Sequence, residues 1–172
     1  MTTRKTALAW WIAGLLALGV VALMNGPLEI EGVKGGMTAH QKAGSAKAVE
    51  DIHELWIEAD LYEWAQAAIV TDLVFIAIFS IGTYLMGRQL RACRSGIVRM
   101  AGLFALATGL VFMLTDYAET IAQAIQLFER EGSDRLAAIA ATVRPVKMAA
   151  WIAAFLAVLA GLVMERRARQ IA

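Results

Sequence analysis

Four blocks of this sequence, at about residues 7–24, 65–87, 97–116 and 146–164, are almost wholly apolar and close to twenty residues long. A helix of roughly 20 residues crosses the ~30 Å hydrocarbon layer of a bilayer. In lipid the backbone must satisfy its own hydrogen bonds, so blocks of this length are helices. With 59% hydrophobic residues, the 172-residue chain is too apolar for an ordinary soluble domain. The apolar residues are concentrated in blocks rather than spread along amphipathic stripes. The expected fold is therefore all-α: a four-transmembrane-helix bundle forming one integral membrane domain over residues 1–172.

The net charge of +1 is uninformative, but its distribution is not. Arg4 and Lys5 precede the first block, Arg88, Arg91, Arg94 and Arg99 fill the connection between the second and third, and Arg166, Arg167 and Arg169 follow the fourth. Most of the acids fall in the other connections. The positive-inside rule then places both termini and the 88–99 loop in the cytoplasm, with residues 25–64 as an extracytoplasmic segment. The basic start and first apolar block resemble a signal peptide. "VALMNGPLE" lacks the small residues of a cleavage site, so an uncleaved anchor is expected. Cys93 is the single cysteine, which excludes an intramolecular disulfide, a CxxC pair and a cysteine metal cage. Short loops suggest a bacterial inner (cytoplasmic) membrane.

Residues 25–45 are rich in Gly and polar side chains and are expected to be irregular. Ser45 is a natural N-cap for a helix carrying Val49, Ile52, Leu55, Trp56, Ala59 and Tyr62 on one stripe. No breaker separates this stripe from the second block, so one helix from about 45 to 88 is expected to stand above the membrane. The rival is a separate interfacial helix lying flat on the bilayer. The third helix should continue to about Glu131, with "EGSD" making a tight hairpin to the fourth. Helices two to four thus extend beyond the outer face. Pro145 should bend or restart the last helix. Small residues recur at four-residue steps: Ala149, Ala153, Ala157 and Gly161; Ala9, Ala13 and Ala17; Ala101, Ala105 and Gly109. Such ridges allow close approach within one chain, between copies in a homo-oligomer, or to a larger membrane complex.

Ionisable residues inside or beside these blocks are the candidate site. With a rise of ~1.5 Å per residue, Asp72 stands roughly 24 Å above the Arg88 boundary, and Asp116 and Glu119 roughly 25 and 30 Å above Arg99. Lys147 and Arg144 stand roughly 27 and 31 Å from Glu165. Three helices therefore bring charge to one level near the outer edge of the hydrocarbon, which Tyr117, Thr71, Thr115, Gln123 and Asn25 can also reach. Asp116 and Glu119 share one side of helix three, as Arg144 and Lys147 do on helix four. Charges at membrane depth usually face the bundle interior and mark sites or pathways. A clasp that only fixes helix register would have the same pattern, and long Lys and Arg chains snorkel.

Asp72 with Phe75, then Asp116-Tyr117-x-Glu119, then Lys147 resembles a loose group of small bacterial four-helix membrane proteins with no assigned activity. The likeness covers roughly residues 45–160. Thr120 stands where the group's usual form has Asn.

Other chemistries fit poorly. Haem between transmembrane helices needs two histidines at membrane depth. The two here, His40 and His53, lie in the extracytoplasmic segment. A single Glu50-x-x-His53 reads as a solvated face, because a di-metal bundle needs two copies and further inward Glu residues. Ser80 and Cys93 lack a neighbouring base. "GVKGG" is not a phosphate loop. The arginines contact anionic lipid at most, and nucleic-acid binding is not implied. No cofactor or metal is expected.

Two readings follow. In the first, Asp72, Asp116, Glu119, Arg144 and Lys147 form a site open to the outer side that binds an ion, a proton or a lipid-like polar group. Transport, lipid binding and membrane-embedded acid/base chemistry are all open to such a site. In the second, the protein is a non-catalytic membrane subunit or assembly factor whose charged layer is a structural clasp.

Overall fold

A computed structural model describes residues 3–171, with side chains through Arg167; the Arg169 side chain lies outside the described residues. Its helices are α1 (Arg4–Asn25), α2 (Met37–Lys42), α3 (Ala46–Glu58), α4 (Tyr62–Arg91), α5 (Gly96–Glu129) and α6 (Asp134–Ile171), with a 3-10 turn at Gly26–Leu28. There is no strand among the described residues. Four helices are long and apolar enough to cross a membrane: Arg4–Leu28, Tyr62–Arg91, Gly96–Glu129 and Asp134–Arg167. Their outward faces carry Leu16, Phe104, Leu114 and Leu156, while Asp116, Glu119 and Gln123 are buried. Large apolar side chains exposed along these spans suit a lipid-facing surface.

The expected single helix over about 45–88 is corrected. α3 ends at Glu58, and Asp60 takes a left-handed φ of 56°. Leu61 N–H then donates to Trp56 O and Asp60 N–H to Ile57 O, the two bonds of a Schellman stop. Neither Gly nor Pro marks the break, and Asp is among the few residues that tolerate this conformation. At the end of α5 the left-handed residue is Arg130, φ 58°, rather than Gly132. Gly132 serves a different need, because its Cα lies against the Ala46 backbone and leaves no room for a Cβ. The expected cap is present: the Ser45 side chain accepts from Ala48 N–H, and Asp134 Oδ1 accepts from Ala46 N–H at 2.7 Å. α6 continues through Pro145 as one helix, so the restart expected there does not occur.

The chain divides into two compact units. The first comprises Met1–Leu16, Ala77–Leu114 and Val146–Ala172. Glycine sets its packing. A Cβ on Gly82 would lie 2.6 Å from Trp11 Cα, one on Gly14 2.7 Å from Phe79 Cα, and one on Gly102 2.5 Å from Arg91 N. Ala105, Gly109, Ala157 and Gly161 are buried within this unit, so those small faces are used inside the chain. Stacked Trp11, Phe155 and Trp151 fill the remaining volume, with ring centroids 5.6 and 5.8 Å apart. Arg4 pairs with Glu165 at 3.0 Å.

The second unit comprises Ala17–Ile76 and Thr115–Pro145. The segment expected to be irregular is ordered by its glycines, since Gly32, Gly35 and Gly36 all have positive φ. Asn25 Oδ1 accepts from Met37 N–H at 2.7 Å and so caps α2. A core of Leu28, Val33, Met37, Trp56, Tyr62, Ile69 and Leu127 closes over it.

Candidate functional site

The second unit is held around a polar stripe on α5. Asp116, Glu119, Thr120, Gln123 and Gln126 recur at three- and four-residue steps, and each is at most 2% exposed. A helix turns once in 3.6 residues, so these side chains share one face. Unpaired polar groups cost several kcal/mol in an apolar interior, and such a stripe therefore dictates which elements must cover it.

At one end, Thr120 Oγ1 lies 3.1 Å from Asp72 Oδ2 on α4 and 3.5 Å from Asp116 Oδ1 one turn away. A hydroxyl has one proton to donate. That of Thr120 points toward both acceptors, Asp72 at the shorter distance and Asp116 at the longer one. Glu119, fully buried, is engaged as well. Arg144 donates from Nε to Gln41 Oε1 at 3.4 Å, and no carboxylate pairs with it among the described residues. Lys147 belongs to the first unit, where it is buried. Asp72 and Asp116 are thus drawn to one hydroxyl, whereas Arg144 turns toward α2.

At the other end of the stripe are two residues that the sequence pointed away from. His53, expected on a solvated face, is 4% exposed, and His40 is 1% exposed. Their Nε2 atoms are 3.0 Å apart. The ring centroids are 5.2 Å apart, near the largest separation that such a contact allows, and the ring planes differ by 17°. The imidazoles therefore meet end to end in almost one plane. Trp56 lies nearly parallel to both, and its Nε1–H donates to Leu28 O.

The surrounding hydrogen bonds assign the tautomers. Tyr62 O–H donates to Leu127 O at 2.8 Å, a carbonyl near the end of α5 that also receives Gln66 Nε2. His53 Nδ1, 3.4 Å from the Tyr62 oxygen, must then be the donor to it. This leaves His53 Nε2 as an acceptor, so His40 Nε2 carries the shared proton. His40 Nδ1 in turn accepts from Gln123 Nε2 at 3.1 Å. Burial and the neighbouring His53 push His40 down to about 3, and burial pushes His53 down to about 4. Both rings are neutral at pH 7.

The signal for His53 was present, since Val49, His53 and Trp56 share a helical face at four- and three-residue steps. The signal for His40 was not, because α2 is too short to show a period. No three His, Cys, Asp or Glu groups are placed to hold a metal ion together among the described residues. Compared with known proteins, the chain matches no family model, no curated protein and no solved structure.

Proposed function

We propose that the protein is a bacterial inner-membrane protein, with both termini cytoplasmic, that takes up and releases a proton at a buried carboxylate site near the outer face. Asp72 and Asp116 are the acceptors, Thr120 links them, and Glu119 and Arg144 adjust the local charge. The observation that carries this reading is the single Thr120 hydroxyl within 3.1 Å of Asp72 and 3.5 Å of Asp116. Carboxylates that share one hydroxyl repel each other when both are charged, and a proton taken up by either relieves that repulsion. Thr120 is also where the resembling small four-helix membrane proteins usually carry Asn, another side chain able to join two carboxyl groups. Lipids cover the apolar exterior, and the exposed Ala9 and Ala149 are where a second copy or a larger complex would make contact.

Infrared difference spectroscopy of the protein in lipid, taken between two pH values, tests this directly. A protonated-carboxyl band is expected that disappears in Asp116→Asn and shifts in Thr120→Val. Spectra without a titrating carboxyl band, or with one unchanged in both variants, would leave the charged layer as a structural clasp and reject the reading.

A further inference from the structure

The His40–His53 pair plays no part in that reading, and its geometry has a chemistry of its own. Two imidazole nitrogens face each other along one line, 3.0 Å apart, in a pocket closed by Trp56 and Tyr62. Each ring is fixed through its other nitrogen, His53 by Tyr62 and His40 by Gln123. Histidines that bind metals are held in this way, with Nδ1–H donated to an oxygen and Nε2 left to the metal. His53 is already in that tautomer. His40 reaches it if its proton moves from Nε2 to Nδ1 and an oxygen waits there. Gln123 Oε1 is such an oxygen: it is buried and has no hydrogen-bond partner, and turning the amide presents it to Nδ1.

We propose that His40 and His53 form a two-coordinate site for a soft monovalent metal ion, copper(I), bound linearly between the two Nε2 atoms. The ligand set selects the ion. Calcium and magnesium require six or more oxygens or retained water. Zinc takes four protein ligands in structural sites and three plus a water in catalytic ones. Imidazole suits copper, and two collinear nitrogens suit a closed-shell ion with no demand for further ligands. Loading needs a modest opening of the pair, which falls to α2, a six-residue helix entered from Gly35 and Gly36. The proton stays on His40, so binding releases none.

The test is anaerobic titration of the full-length protein in detergent with copper(I), against a colorimetric copper(I) chelator, followed by X-ray absorption. About one equivalent is expected, with two nitrogen neighbours and no sulfur, which separates the site from Cys93 and the methionines. His40→Gln and His53→Gln should each abolish it. Gln123→Leu should weaken it by roughly 10- to 100-fold, as loss of an outer partner does. Asp116→Asn should leave it unchanged, so failure here and failure of the carboxylate reading are distinct results. Wild-type protein that binds no copper(I) beyond the double histidine variant overturns the proposal. So does a sulfur or four-coordinate signature, however the variants fold.

Discussion

The two units differ in what holds their long helices together. In the first, backbones touch: Gly82 leaves no room beside Trp11, nor Gly14 beside Phe79, and aromatic rings fill what remains. In the second, side chains reach across: Thr120 to Asp72, Gln123 to His40, Tyr62 to Leu127. Glycine contact is insensitive to pH and intolerant of added volume. A buried hydrogen-bond network is the reverse, since it tolerates some shape change and depends on every proton being in place. The difference separates a packing region from one where chemistry is possible.

Acid should break the comparison most sharply. Both histidines have folded values below the unfolded 6.5, so the stability they confer is full above pH 6.5 and is lost as pH falls toward 4 and 3. For His40 alone the loss is about 3 kcal/mol by pH 4. Hydrogen exchange followed by peptide mass spectrometry should show residues 37–58 opening between pH 6.5 and 5 while residues 77–90 stay protected. Equal loss of protection in both stretches would refute the contrast. Next in size is Gly82→Ala, whose methyl must displace Trp10 and Trp11 backbone atoms 2.6–2.8 Å away. Overpacking of this kind costs about 2 kcal/mol. Exchange should rise in residues 4–16 and 77–90, with the histidine signals unmoved. Smallest is Tyr62→Phe, which removes the donor to Leu127 and the acceptor for His53 at a cost of about 1 kcal/mol. Nitrogen NMR of labelled histidine should report it clearly. Without the tyrosine to fix the chain's direction, the His53 tautomer should become mixed.

Much of this molecule is legible in the sequence because it is local. Four apolar blocks become four long helices, since in lipid the backbone has no other way to satisfy itself. The Ser45 cap and the α5 stripe from Asp116 to Gln126 follow from short-range geometry and a 3.6-residue period. The break at Asp60 was not legible, because a left-handed Asp carries no signal as strong as Gly or Pro. Arg144 and Lys147 matched each other in depth and spacing, yet Arg144 turns to Gln41, a partner 103 residues away.

What only the tertiary structure decided is which distant polar groups meet. Gln123 reaches His40 across 83 residues, and Thr120 reaches Asp72 across 48. A period reports the face on which a side chain lies but says nothing of what covers that face. The sequence by itself determined helices, their apolar exteriors and a buried polar stripe. Chain closure supplied the imidazole pair, because a histidine on a six-residue helix acquires a chemical identity only from the elements folded over it.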